Sequence, residues 1–292
     1  MAEMPVGVLG ASSLVGQRLL ARLAAAGRPV TAFSRQPQPP QAGVTWGRLG
    51  APGGAPADGI REIALWICVA PIWVLPEHFE LLQRCGARRI VALSSTSRYT
   101  KHASTDPQEQ ATAQRLARAE EQLAQWAGAQ GVTWTVLRPT LIYGEARDKN
   151  IAEMARFIRR FGFFPVFGPA QGLRQPIHAD DVAAACVAAL SCAAAANRAY
   201  NLCGGETLSY REMASRVFVA LGRPVRLLSV PMWMFRLALR ILRLLPRFRH
   251  WTPAMAERMN RDLAFDSTEA RRDLAWAPRP FQLQARDVGM TR

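Results

Sequence analysis

Val6-Gly7-Val8-Leu9-Gly10-Ala11-Ser12-Ser13-Leu14-Val15-Gly16 is the stretch from which the rest of the chain can be laid out. A short apolar run stops at Gly10. Within one turn an apolar helical pattern begins (Leu14, Val15, Leu19, Leu20, Leu23), which is how a strand hands over to a helix. A tight turn at Gly10 lets backbone N–H groups approach an anion, and the start of the following helix favours negative charge. Gly16 lets that helix lie close on the strand. The spacing is Gly-x-x-Gly-x-x-Gly with Ser13 in the middle place. The expectation is a pyrophosphate cradle built from Gly10, Ser12, Ser13, Leu14, Val15 and Gly16.

At 292 residues, with 49% apolar and 20% charged side chains, the chain has the make-up of a globular protein of one large or two small domains. It shows no leader-like start and no run of about 20 uncharged apolar residues, so a cytoplasmic location is expected. The five cysteines form no Cys-x-x-Cys and sit mostly among apolar neighbours, as small core residues do. No metal-ligand set is expected from the four dispersed histidines. The net charge of +15 is carried almost wholly by arginine, since Lys101 and Lys149 are the only lysines. Met213–Ala256 has eight arginines and no acidic residue. It lacks helix-turn-helix or zinc-finger spacing, and its aromatics do not alternate with basic residues, so nucleic-acid binding is not expected.

Past the first helix, Gly27-Arg28-Pro29 is a breaker and Val30–Phe33 reads as a second strand ending at Ser34-Arg35. A carboxylate about 20 residues beyond the glycines would hold an adenosine ribose 2′-hydroxyl, whereas an Arg suits a 2′-phosphate. Ser34 and Arg35 therefore predict NADP(H) over NAD(H). Ile63–Ala70, ended by Pro71, and Ile90–Leu93 read as buried parallel strands, with a helical stretch at Leu75–Arg84 between them. A long helix over Asp106–Gln130, a strand at Thr133–Leu137, helices at Ile151–Arg160, Val182–Ala196 and Tyr210–Leu221, and a short strand at Ala199–Leu202 complete the alternation. The fold class is α/β, a Rossmann-type doubly wound parallel sheet with a smaller C-terminal substrate lobe. Residues 1–145 and 176–203 form the nucleotide-binding domain, and 146–175 with 204–292 form the lobe.

Five motifs in order resemble the extended short-chain dehydrogenase/reductase family, its NAD(P)-dependent epimerase/dehydratase group. They are Gly10–Gly16, Ser94-Ser95-Thr96-Ser97-Arg98-Tyr99, Leu137-Arg138-Pro139-Thr140-Leu141-Ile142-Tyr143-Gly144, Ile177–Asp181 with Val182-Ala183, and Tyr200-Asn201-Leu202 before Gly204-Gly205. The resemblance implies a nicotinamide cofactor also touched by the strand-end residues Ala70, Pro71, Pro139 and Thr140, and an oxidoreductase or epimerase/dehydratase activity. Its serine corresponds to Ser95. Its Tyr-x-x-x-Lys pair is absent: Thr112 or Ala113 takes the Tyr place, and Leu116 or Ala117 the Lys place. Tyr99 with Lys101 or His102, or Tyr143 with Arg147, are the candidates for a relocated acid. The resemblance also implies a small-molecule substrate such as a nucleotide sugar, with Arg174 in the phosphate place and Asn150 in that of a substrate amide.

The alternative is a non-catalytic nucleotide-binding sensor or accessory protein, comparable to the nucleotide-holding accessory subunit of respiratory NADH:quinone oxidoreductase. Met232–Leu245, bracketed by Pro231 and Pro246, spaces Arg236, Arg240 and Arg243 on one helical face and Trp233, Leu237, Ile241 and Leu244 on another. It is too short to span a bilayer and either packs on its own lobe or docks on a membrane or partner.

Overall fold

The computed structural model describes residues 4–49, 62–102, 104–231, 233–234 and 257–290. Most of the basic Met232–Leu245 stretch lies outside the described residues. Seven parallel strands make the main sheet: β1 (Val6–Leu9), β2 (Val30–Ser34), β3 (Val44–Arg48), β4 (Leu65–Cys68), β5 (Arg89–Leu93), β6 (Thr133–Pro139) and β11 (Arg198–Leu202). Their order is β3-β2-β1-β4-β5-β6-β11. The order reverses between β1 and β4, and a doubly wound sheet opens its ligand crevice beyond the strand C-termini at that point.

Side chains alternate between two cores. Val6 and Val8 of β1 face α1 (Leu14–Ala25) and α6 (Ala179–Ser191). Leu9, with Trp66 of β4, faces the layer of α2 (Phe79–Arg84) and α4 (Pro107–Gln130). The Trp66 ring lies where a side chain on Gly7 would project, 2.5 Å from that Cβ position, so a large neighbour fills the place of an absent one. The helix read at Leu75–Arg84 is split: Ile72–His78 is 3₁₀ and only then does α2 begin. Pro76, which has no N–H to donate, sits inside the first part.

The smaller lobe carries α5 (Ile151–Phe161) and α7 (Tyr210–Ala220), the parallel pair β8 (Phe164–Phe167) and β13 (Leu227–Val230), and the antiparallel pair β9 (Leu173–Arg174) and β12 (Leu208–Ser209). Between sheet and lobe, β7 (Ile142–Tyr143) pairs with β10 (Ile177–His178), and α3 (Ser97–Thr100) follows β5. His178 is structural. Its Nδ1 accepts from Asp180 N–H at 3.1 Å, capping α6, and its Nε2 stands 3.6 Å from Asp287 near the C-terminus.

Candidate functional site: a glycine crevice beside a cationic cavity

The crevice at the switch point is defined by backbone. Gly10 has φ +83°, and a Cβ on it would meet Ala70 N at 2.4 Å, so the ends of β1 and β4 approach more closely than any side chain permits. A Cβ on Gly16 would lie 2.3 Å from Gly10 O and 2.5 Å from Ala11 O, so α1 sits directly on the turn. Ser13 explains the missing middle glycine. It is extended (φ −70°, ψ 167°) and caps α1, its Oγ accepting from Gly16 N–H at 3.0 Å, so that position needs no left-handed backbone. Leu14 and Val15 supply the next amides, which have no intrahelical acceptor.

Arg147, past β7, donates from Nη2 to Ser12 O at 3.2 Å and from Nη1 to Gln17. Beside it Arg18 of α1 pairs with Glu145. Ser34 ends β2, its Oγ accepting from Gln36 N–H and the Gln38 amide, both at 3.2 Å. Arg35 follows it, exposed at the same edge of the crevice. Burial, joined by the nearby Arg35 charge, holds His78 below its ordinary pKa against the opposing pull of Glu77.

A cavity of about 880 Å³ opens between the C-terminal ends of β5 and β6 and the smaller lobe. It gathers Ser95, Thr140, Asn150 and Arg174, four of the residues singled out in the sequence. It also gathers both lysines of the chain, Lys101 and Lys149, together with Arg258 and a single carboxylate, Glu153. The rest of its wall carries the polar side chains of Thr96, Ser97, Thr100 and Gln175 and is otherwise apolar and aromatic, including Phe157, Phe164, Phe167, Tyr210 and Phe265. Such a space, cationic at several points, with hydroxyl and amide groups and aromatic walls between them, favours an anionic ligand with polar groups and an apolar or stacking part.

Asn150 stands at the N-terminus of α5. Arg174 is 4% exposed, and its guanidinium donates to Leu173 O at 2.6 Å, Arg261 O at 2.9 Å and also Arg258 O, holding the β9 region to residues 258–261. It stands 5.4 Å over the Tyr210 ring, and burial brings its pKa down to about 10. Lys101 Nζ lies 3.8 Å from Glu109. Burial, then the Arg258 charge, lower its pKa against the pull of Asp106.

Neither tyrosine offered as a relocated acid lines this cavity. Tyr143 is fully buried, edge-on to His178 and Phe281 at ring distances of 5.2 and 5.0 Å. Its hydroxyl has no hydrogen-bond partner among the described residues. Burial first, then the charges of Asp287 and Asp181, push its pKa far up, so the phenol does not ionise in the ordinary range. Tyr99 is 45% exposed outside the cavity, and its hydroxyl accepts from Arg138 Nη1 at 2.6 Å. Arg138 is in turn held by Glu120 of α4, 5% exposed, with Nη2 to Oε2 at 2.6 Å. Glu120 also bonds Ser94, just past β5, and Arg98, and so ties the end of β5, β6, α3 and α4 together. Lys149, Arg258 and Glu120 carried no motif that sequence reading could have used. The rarity of lysine was the one signal pointing toward Lys149.

Residues 78–203 match the NAD dependent epimerase/dehydratase family. A UDP-glucose 4-epimerase from Vibrio cholerae is 25% identical over 166 residues, 57% of this chain and 48% of that protein. The chain resembles the epimerase/dehydratase family in sequence as in fold. Subunit 9 of the NADH dehydrogenase [ubiquinone] 1 alpha subcomplex from Arabidopsis thaliana is 29% identical over 98 residues, 33% of this chain and 24% of that one. The matched part thus spans about half of the first relative and about a quarter of the second. Among solved structures, a UDP-glucuronic acid 4-epimerase from Bacillus cereus in complex with NAD superposes with a TM-score of 0.72 at 14% identity, covering 98% of this chain and 96% of that one.

Against the epimerase/dehydratase pattern, the helix that would carry Tyr-x-x-x-Lys is α4. There Thr112 Oγ1 donates back to Gln108 O at 2.8 Å, and Leu116 is 3% exposed in the core beneath β5 and β6. Neither side chain supplies a proton donor to the cavity.

Proposed function

We propose that the chain is an NADP(H)-preferring oxidoreductase or epimerase acting on a nucleotide-sugar-like anionic substrate, with Ser95 in the family serine's place and Lys101 taking over the proton transfer of the absent Tyr-x-x-x-Lys pair. The single observation that carries this reading is the convergence of Ser95, both lysines, Asn150 and Arg174 on one cavity next to a crevice that has room only for glycine at Gly10 and Gly16. That crevice fits a dinucleotide: the first amides of α1 and the bare Gly10–Ala70 approach would hold the pyrophosphate, with Ala70, Pro71, Pro139 and Thr140 along the strand ends. Arg35, just past the end of β2 with no carboxylate near it in the sequence, would hold an adenosine 2′-phosphate.

The bound nicotinamide would supply hydride acceptance and return. The chain's own residues bind, orient and move the proton. Arg258 and Lys149 set the cationic field for a diphosphate, and Arg174, whose donors are already engaged with backbone, shapes the wall and adds its charge. Asn150 offers an amide to a sugar substituent. Ser95 Oγ, which accepts from Ser97 N–H at 3.1 Å, is fixed with its own proton free to orient a substrate oxygen. Lys101, whose pKa is lowered by burial and Arg258, takes the hydroxyl proton as that oxygen becomes a carbonyl, and returns it afterwards.

The experiment is incubation of the protein with NADP⁺ and a panel of uridine- and thymidine-diphosphate sugars, followed by proton NMR of the sugar anomeric signals. A new epimer or a 4-keto product supports the reading. Tight dinucleotide binding with no conversion of any sugar nucleotide would overturn its catalytic half.

A further inference from the structure

One face of the smaller lobe takes no part in the crevice or the cavity. Nine large hydrophobic side chains are exposed among the described residues, and six of them, Phe161, Val219, Val225, Leu228, Trp233 and Met234, belong to the ends of α5 and α7, the α7–β13 connection, β13 itself and the residues just beyond it. Val219, Trp233 and Leu228 are 69%, 66% and 53% exposed. Hydrogen bonds bring these segments together. Phe164 N–H donates to Arg226 O at 3.0 Å, and Arg223 Nη1 donates to Ile158 O and Arg159 O at 3.0 and 3.1 Å. The β13 strand runs parallel to β8 and carries Leu228 outward along the lobe's edge.

The charge on this face is of one sign. Arg160 stands 5.4 Å over the Phe161 ring, Arg226 is exposed beside Val225, and Arg211 reaches Ser229 of β13 at 2.6 Å. The chain from Met213 to Met234 contains no carboxylate. Aromatic and aliphatic side chains interleaved with arginine, without neutralising acids, match an interface that is apolar beneath and anionic above. A protein partner covering such a surface would have to desolvate these guanidinium groups, whereas lipid headgroups leave them hydrated.

We infer that this face, from Phe161 to Met234, docks the protein peripherally on an anionic lipid bilayer. Phe161, Val225, Leu228 and Trp233 enter the headgroup layer, and Arg160 and Arg226 lie at the phosphates. The lobe that closes the cavity thereby rests on the membrane, and no part of the inference depends on the cofactor or the reaction.

The test is flotation of the full chain with vesicles of phosphatidylcholine alone and of phosphatidylcholine mixed with phosphatidylglycerol, at low and high salt. The expected result is flotation with the anionic vesicles only, weakened by salt. Phe161→Ser with Leu228→Ser is expected to reduce partitioning at least tenfold, and Arg160→Gln with Arg226→Gln to remove most of the salt dependence. All four positions are on the surface, and an unchanged melting temperature verifies the fold of each variant. No flotation at low salt would overturn the inference. So would flotation that the Phe161/Leu228 variant leaves unchanged, because binding would then reside elsewhere in the chain.

Discussion

Gly10→Ala tests the crevice most sharply, because the structure prescribes both terms of its cost. An alanine at φ +83° lies in left-handed space, at a cost of about 1–2 kcal/mol. Its Cβ would stand 2.4 Å from Ala70 N and 2.8 Å from Ala70 Cα and Val69 C. All three atoms are backbone of β4's end, so no side chain can swing aside. Restoring ordinary contact at about 3.5 Å requires the ends of β1 and β4 to part by about 1 Å, an overpacking cost of about 1–3 kcal/mol. Together these give a loss of about 2–5 kcal/mol, or about 4–10 °C in melting temperature at about 2 °C per kcal/mol. The same movement spreads the amides that would receive a pyrophosphate, so dinucleotide affinity should fall at least tenfold. Gly27→Ala is the matched control. Its φ is +68° with nothing within 4 Å of the Cβ position, so it carries the backbone term without the clash and should bind dinucleotide as the parent does. Scanning fluorimetry and a nucleotide titration on both variants read the two quantities. If Gly10→Ala melts and binds as Gly27→Ala does, the argument from close approach is wrong.

Further outcomes follow from other parts of the site. Arg35→Asp should weaken NADPH binding by about 1.5–3 kcal/mol, the range for a hydrogen bond to a charged group, and leave NADH nearly unchanged; equal losses for both would show that Arg35 does not read the 2′-phosphate. If the proposed turnover of a sugar nucleotide is found, its kcat should rise with pH through the lowered pKa of Lys101. Lys101→Gln should lose activity at least a hundredfold and Lys101→Arg should not restore it, because guanidinium does not exchange its proton in this range. At Asp180, burial alone would raise the carboxyl, but hydrogen bonds and charge from Arg22 and Arg279 hold it at about 2. A folded-state pKa below the unfolded value of about 3.9 adds stability above that value, lost as pH falls from about 4 to about 2. Its size is about 1–2 kcal/mol after solvent screening of a carboxyl 25% exposed, and Asp180→Asn should flatten the acid limb of a melting-temperature profile by that amount.

Much of the sheet was legible in the sequence because several of its strands are apolar runs closed by a breaker: Gly10 follows β1, Pro71 comes soon after β4 and Pro139 ends β6. Ser13 looked like a defect in the glycine pattern and is an N-cap, a distinction that lies in φ and not in residue identity. The site was less legible. Tyr143 ends an apolar strand in the manner of a residue at a cleft edge, and only the packing of Phe281, more than a hundred residues away, makes it core. Glu120 looks like any acid on a long helix until Arg98, Arg138 and Ser94 close around it from three other elements. Arg258 reaches the cavity from the far end of the chain, and there it pairs with Glu109 of α4, beside Lys101. Long-range convergence of this kind leaves no period or spacing for a sequence reading to find.

The claim on which the rest depends is that the Gly10–Gly16 crevice holds a 2′-phosphorylated dinucleotide. A titration of the purified protein with NADPH and, separately, NADH, following energy transfer from tryptophan to the reduced nicotinamide, tests it directly. The account predicts saturable binding of both, with NADPH at least tenfold tighter. Failure of both to bind, with no nucleotide released when the protein is denatured, or NADH binding as tightly as NADPH, would contradict it.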